Sequence, residues 1–441
     1  MAKEPDYEIA VERETPEKWK QLVPGGQFMD RILPAPIHDT LTSDTWGADG
    51  VRPRDIHNGI EDPEWSYWGG KPVRGRDGRY HWFGCRWPED NPKGHGGWPE
   101  SEIVRAIGDS PMGPFVFENR IGPGHFPEIT KLSDGSWRLY HFDGYYASDA
   151  LDGPWTHVTK QEDGFPDIQM GSVCVREDGS LLMIGRASHM YVKEHRSDVW
   201  EQKTEKKVFP KHMDGLYEDP VIWRTEVQYH MIINDWQGRI AYHQRSEDGI
   251  HWVCDPGMAY TVGIDRYEDG TSVDWFKYER PKVFQDKYGR PTHLYLAVID
   301  VPKWQDEGGD NHSSKNIVLP LVVERRLQVL NDDPITGDTE EIRVKIFAEP
   351  GFDPHADMAL DSLRFGAPQE VDYGRGSVLT GTQADGPDLI LIFDGNGHGI
   401  TADDFAAKLL GRTATGDLLL GWARLSSSTR KGADGKTEKG G

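Results

Sequence analysis

The phrase Tyr217-Glu218-Asp219-Pro220 returns about sixty residues later as Tyr278-Glu279-Arg280-Pro281, and each copy opens an apolar, aromatic-rich run. A chain that repeats a strand opening in this way is building modules, because repeats of about 40 to 60 residues with several strands each mark β-propellers. The first copy supplies a ruler. EDPVIWRTEVQYHMIINDWQGRIAYHQRSEDGIHW reads as three strands separated by turns and ended by the tight turn SEDG. The same grammar begins at Gly69 (GGKPVRGRDGRYHWFGCRW, with EIVRAIGDSPMGPFVF as outer strands), at Gly124, at Gly171 and at Tyr278, the last closed by NIVLPLVVERRLQVL. Five modules predict an all-β fold with a five-bladed β-propeller over 26–340. Two stacked β-sandwiches with incidental DG turns are the competing arrangement, since DG alone is a common hairpin signal.

After residue 340 the pattern changes to alternating strands such as SVLTGTQADGPDLILIFDG and DLLLGWARL, which predict a β-sandwich-like extension over 341–425. TADDFAAKLL at 401–410 reads as a short helix capped by Thr401, with Asp404 three residues on. Residues 1–25 form a polar N-terminal segment, and 426–441 a tail polar enough to be disordered.

The totals narrow the function classes. With 36% hydrophobic residues, 50 Gly, 29 Pro and 16 Trp, the chain suits many turns and aromatic strands rather than long aliphatic helices. Its formal charge of −23 repels a phosphate backbone and an anionic membrane, so nucleic-acid and membrane partners are not expected. No stretch approaches the roughly eighteen apolar residues of a membrane span. The start shows no apolar signal core, so a soluble protein is expected, periplasmic or secreted if a leader precedes this sequence. Cys85, Cys174 and Cys254 stand far apart without a C-x-x-C pair and read as small buried hydrophobes. No cofactor is expected. A structural cation on the propeller axis stays open, and the oligomeric state is not legible.

In a propeller the first strand of every blade lines the axis, so residues that open the repeats converge. On that reading Lys71, Phe126, Asp219 and Arg280, each before a proline, point into one pocket, with Glu218 and Glu279 beside the last two. Glycoside hydrolysis needs two carboxyl groups flanking one bond, one protonated and one ionised. Asp219 and Glu279 are therefore the expected catalytic pair, with Arg280 holding a neighbouring carboxylate ionised. The competing reading of Glu218 or Glu279 is a structural tie between blades. The irregular stretch upstream of the first repeat is expected to cross the mouth and to offer Asp49 or Asp62 as a base. His125 is a candidate acid. Expected substrate-binding residues are Trp68, His95, Trp98, Glu128, Glu218, Asn234, Asp235, Trp236, Arg239, Arg280 and His312, because aromatic rings stack on the C–H face of a sugar while polar groups take its hydroxyls. No metal ligand set has recognised spacing. DGNGHG at 394–399 has Phe405 where a calcium loop requires an acid.

These openings, YEDPVIW and YERPKVF above all, with the turns SEDGIHW and DALDGPW, resemble the five-bladed propeller glycoside hydrolases of families 43 and 117 and their relatives across roughly residues 60–330. WSYWGG, KGHGGW, GPGHFPEI, NDWQGRIAYHQRS, DNHSSKN and SLRFGAPQEVDYGRG are similar to a bacterial subgroup from polysaccharide-degrading organisms. The resemblance implies an exo- or oligosaccharide-acting glycosidase with carboxylates in the axial pocket, assisted by His in family 117. It departs from family 43 where Lys71-Pro72 and Phe126-Pro127 replace the usual Asp-Pro, so that family's base has no counterpart here. The expected activity is hydrolysis of plant or marine algal polysaccharide fragments, galactan-type included. The alternatives are a sugar-binding propeller without catalysis and a polysaccharide lyase using Arg239 or Arg280 near His125.

Overall fold

The computed structural model describes residues 10–160, 166, 171–186, 188–195, 197, 199–210 and 215–426. The predicted tail from 427 onward and the first nine residues lie outside that set. The chain divides into two compact units, one of 1–15 with 32–321 and the other of 16–31 with 322–441.

The first unit is the propeller. Blade I has strands Trp65–Arg74, Tyr80–Pro88, Glu102–Gly108 and Val116–Pro123, and blade II has Glu128–Lys131, Trp137–His141, Gly144–Ser148 and Thr156–Thr159. Blade III has Ser172–Val175, Leu181–Ile184, Met190–Lys193 and Trp200–Gln202, and blade IV has Tyr217–Arg224, Tyr229–Asp235, Ile240–Ser246 and Val253–Cys254. Blade V contributes Lys277–Gln285, Pro291–Ile299 and Ser314–Pro320. The innermost strands touch in cyclic order, I to II to III to IV to V and back to I. Such a strand is covered on both faces, which is why Tyr217–Arg224 is buried along nearly its whole length while the outermost Val116–Pro123 is largely exposed.

Ring closure uses the lead-in to blade I. Ile60 forms an antiparallel bridge with Asn316 on the outer strand of blade V, and Asn58 exchanges hydrogen bonds with the Val318 backbone. Glu61 anchors this seam through Arg54 at 2.6 Å and Lys315 at 2.7 Å. An N-terminal segment thus supplies the outer edge of the last blade and joins it to the first. The predicted polar segment is partly packed: Arg13 bonds Asp235 at 2.6 Å, and Trp19 is buried. Apolar burial of Trp19 and a part-buried ion pair override its polar composition.

The second unit is a closed barrel whose seven strands run in the order Arg325–Val329, Glu341–Ile346, Asp388–Asp394, Ser377–Asp385, Met358–Gly366, Ala406–Thr413 and Leu418–Arg424. Ile342, Val344, Phe365, Leu391, Phe393 and Leu409 fill its core. Two expectations are corrected here. Only Ser314–Pro320 closes blade V, and Arg325–Val329 belongs to the barrel. The helix expected at 401–410 does not form: Thr401 and Asp404 bond each other in a turn, and Ala406–Thr413 pairs on both edges, with Met358–Gly366 and Leu418–Arg424. Pairing on two edges outweighs the local helical preference of AAKLL.

One backbone device places the axial side chains. Phe126, Asp219 and Arg280 have φ of 53°, 54° and 53°, left-handed values that non-glycine residues rarely adopt, and each precedes a proline. In blades IV and V the strand register shifts at this point, between Glu218 and Val221 and between Glu279 and Lys282. Proline has no N–H to donate, which suits a bulge where the ladder is already broken. Blade I shifts between Trp68 and Gly70 and uses Gly69, at φ 70°, for the same turn. A Cβ on Gly69 would lie 2.9 Å from the Phe126 ring and 3.2 Å from Arg280 Cβ, so these positions meet at the axis and only glycine fits the fourth. The prediction that Lys71 stands level with Phe126, Asp219 and Arg280 is therefore corrected. Its place is two residues further along, level with Glu128 and Lys282, because glycine rather than the residue before proline makes the turn in blade I.

Candidate active site

The bulges deliver three carboxyl groups to one point. Glu218, Asp219 and Glu279 each have a ligand oxygen within 4.8 Å of the others', and all three residues are buried. Radial convergence, expected from the repeats, is thus met for Asp219 and Glu279. Glu218, expected as a binding group, joins them.

Cations surround the cluster. Arg280 ion-pairs with Asp219 through its guanidinium and also donates its backbone N–H to Asp219 Oδ2 at 3.3 Å. Lys303 Nζ donates to Glu279 Oε2 at 2.6 Å, Lys277 Nζ lies 3.5 Å from Glu279 Oε1, and Arg186 Nη2 lies 3.3 Å from Glu218 Oε2. Arg280 rests on the Phe126 ring, 4.5 Å from its centroid. The positive φ of Phe126, Asp219 and Arg280 costs on the order of 1–3 kcal/mol each, and here it holds a hydrophobic platform, an anion and a cation in contact.

The surroundings separate the three carboxyl groups. Burial, then the Asp219 and Glu279 charges, push Glu218 up to about 7 against the opposing pull of Arg280 and Lys303. Burial works upward on Glu279 too, but Lys303, Lys277 and Arg280 outweigh it and hold that carboxyl at about 2. Burial raises Asp219 against the pull of Arg280. At neutral pH the site therefore keeps one carboxyl near half-protonation and another firmly ionised. Divergent pairs of this kind mark acid and base assignments.

His125 sits at the blade II position equivalent to Glu218 and Glu279. Ser101 Oγ donates to the Trp98 carbonyl, so it accepts from His125 Nδ1 at 3.0 Å, fixing the tautomer with the Nε2 lone pair available. Burial, then Arg280 and Lys303, keep this imidazole well below the usual histidine range, hence neutral. Trp98, 36% exposed, lies over it at 4.8 Å. Asn234 stands opposite Glu218 in the strand pairing, fully buried, and neither polar atom of its side chain has a hydrogen-bond partner among the described residues. Tyr260, also fully buried, has an unpartnered hydroxyl and feels the charges of Asp219, Glu279 and Glu218.

Other predicted site residues lie apart or have structural duties. Glu128 binds both Lys71 and Lys282 in the layer below, a buried ion cluster. His95 packs edge-on against Trp68 at 4.5 Å, and Trp68 in turn lies under Lys303. Asp235 is tied to Arg13 and caps the Leu216 and Gly238 amides, a structural task. Trp236 is half-buried with Lys277 over its ring, and Arg239 donates to the Phe276 carbonyl at 3.2 Å. His312 bonds Asp300 at 2.7 Å. The two candidate bases are corrected. Asp49 is a fully exposed surface group paired with Arg52, and Asp62 accepts from Tyr67 in an off-axis cavity; neither belongs to the carboxyl cluster.

Sequence reasoning missed Tyr260, Lys277, Lys303 and Arg186. Lys277 precedes the repeated phrase and was within reach of that reading. Tyr260 opens a two-residue strand, Tyr260–Thr261, paired with the start of Ile240–Ser246, and Lys303 lies in the connection after Pro291–Ile299; no repeat marks either.

No protein-family model and no curated protein matches the chain. Among solved structures it is similar to a family 117 glycoside hydrolase from the marine bacterium Zobellia galactanivorans, at 13% identity and TM-score 0.40 over 59% of this chain and 85% of that one. It is also similar to a GH43 β-1,3-galactosidase, at 14% identity and TM-score 0.43 over 89% and 82% of the two chains. A third is the catalytic domain of a GH62 α-L-arabinofuranosidase from Coprinopsis cinerea, at 14% identity and TM-score 0.41 over 68% and 98%. The architecture is a five-bladed β-propeller, as the repeats implied.

Proposed function

We propose that the chain is a glycoside hydrolase whose acid is Glu218 and whose nucleophile is Glu279, with the propeller as the catalytic unit. The observation that carries this reading is the pairing of a carboxyl raised to about 7 with one held at about 2 inside one buried axial cluster. Glu218 gives its proton to the glycosidic oxygen as the C1–O bond breaks, and Glu279 Oε1, which has no hydrogen-bond partner among the described residues, forms a bond to C1. Water then attacks C1, its proton returns to Glu218, and Glu279 is released. Asp219, paired with Arg280, raises Glu218 and keeps its proton in place. His125 Nε2, Asn234 and Tyr260 are the groups suited to sugar hydroxyls, and Trp98 to a sugar face.

An oxygen separation within 4.8 Å is shorter than the roughly 6.5–9.5 Å that leaves room for a water between two carboxyl groups, so the expected outcome is retention. Four cationic side chains around three carboxyl groups leave no net negative charge to hold a cation, which supports a metal-independent reaction. The proposed substrates are fragments of plant or algal polysaccharides, galactans among them, processed from a chain end.

A non-catalytic sugar-binding propeller is the second reading, favoured by the ion pairs already made by Asp219 and Glu279. Incubation with a panel of plant and algal polysaccharides, followed by chromatography of released sugars and NMR of the first-formed anomer, separates the two. Hydrolysis with retention, lost in folded Glu218→Gln and Glu279→Gln proteins, supports the enzyme. Inversion, or full turnover by either variant, overturns the roles, and an unsaturated ultraviolet-absorbing product would mean a lyase.

A further inference from the structure

A cavity of about 800 Å³ lies off the axis, between the lead-in to blade I, the outer edge of that blade and the loop before Ser314–Pro320. Its walls mix rings with fixed acceptors. Tyr67 is buried and its hydroxyl is locked onto Asp62 at 2.9 Å, while Asp62 also accepts the Glu64 amide. Phe117 is 40% exposed, with the Arg86 guanidinium 3.8 Å from its centroid, and Arg86 is itself bonded to Glu102. Trp46 is held by Arg54, 4.3 Å from its centroid. Glu89 Oε2 accepts from Ser66 at 2.6 Å and Ser313 at 2.7 Å, and Oε1 accepts nothing among the described residues. These groups are immobilised before any ligand arrives, which lowers the ordering cost of binding.

We propose that this cavity is a second carbohydrate site, distinct from the axial cluster, that takes an uncharged oligosaccharide. Rigid ring faces suit the C–H face of a sugar, and preset carboxylate oxygens suit its hydroxyl donors. The charge of the lining selects the ligand class. Asp44, Asp62, Glu89 and Asp310 line it, the carboxylate of Glu61 is neutralised by Arg54 and Lys315, and the lining contains no lysine or arginine. Uronic and sulfated sugars would meet like charge there, the Arg86 guanidinium against Phe117 being already paired with Glu102, whereas neutral hydroxyls meet acceptors. Such a site would hold a polymer against the protein while a chain end is processed at the axis. It does not require the axial site to be catalytic.

Calorimetric titration of the Glu279→Gln protein with cellotetraose, xylotetraose, β-1,4-galactotetraose, neoagarotetraose and tetragalacturonate tests it. At least one uncharged tetrasaccharide should bind, and its affinity should fall about tenfold in the added Glu89→Gln or Phe117→Ala background, the loss of one charged hydrogen bond or one ring face. Wild-type protein carrying only Glu89→Gln or Phe117→Ala should keep any turnover of short substrates. The proposal is overturned if no uncharged member binds at millimolar concentration, if binding ignores both substitutions, or if tetragalacturonate binds in a manner sensitive to them. Failure of the unsubstituted protein to hydrolyse any of these glycans, with this binding intact, would instead refute only the axial assignment.

Discussion

Replacing Glu218 by Gln should stabilise the protein at alkaline pH, and by a calculable amount. In the folded chain this carboxyl is raised from 4.5 to about 7. Between those values the native state holds a proton that the unfolded chain has released, so stability falls as pH rises. The span is about 2.5 pH units, and at about 1.36 kcal/mol per unit the penalty reaches roughly 3 kcal/mol by pH 8. The substituted amide is neutral at every pH and escapes it. At pH 4, where Glu218 is protonated in both states, the variant gains nothing. For a unit of this size, roughly 3 kcal/mol corresponds to about 5 °C in Tm. Scanning calorimetry of both proteins from pH 4 to pH 8.5, at a fixed scan rate, should show unfolding curves that coincide at the acid end and diverge with rising pH. A group that destabilises its own fold in the working range is what a site-held acid looks like. A constant offset between the two proteins at all pH values, or a less stable variant at pH 8, would refute the claim that Glu218 is held protonated by burial and its neighbours.

The remaining predictions concern the cations. Lys303→Met removes the shortest contact to Glu279, so that carboxyl should rise by roughly 1–3 units from about 2, seen as a shifted 13C titration of the labelled glutamates. No movement would mean that Lys277 and Arg280 alone hold it. Arg280→Gln leaves Asp219 buried without its partner and should cost about 3–5 kcal/mol, most of it recovered in Arg280→Gln/Asp219→Asn; equal stability of the single and double variants in denaturant would contradict the pairing. Glu61→Gln strands Arg54 and Lys315 at the closing seam, with a similar expected cost and earlier proteolysis of the lead-in segment.

The ring was legible because its signal is a repeat. Every blade opening quoted from the sequence begins at or within a few residues of an innermost strand, and the YEDP and YERP copies mark the bulges that carry the chemistry. What the letters did not reveal is which residue makes the turn. In blade I the proline after Lys71 imitates the motif, yet Gly69 takes the left-handed conformation, because a side chain there would strike Phe126. The division of labour among Glu218, Asp219 and Glu279 was likewise hidden, since it depends on Lys303 from a connecting loop and on burial that no local pattern encodes. AAKLL misled for a related reason: barrel pairing on two edges, a long-range fact, decided its conformation.

Neutron diffraction from perdeuterated crystals at pH 6 would report directly on the divided charge of the axial cluster. A deuteron on Glu218, with Glu279 bare and contacted by the Lys303 ammonium, is the arrangement required here. Deuterons absent from both glutamates, or present on Glu279 instead, would contradict it.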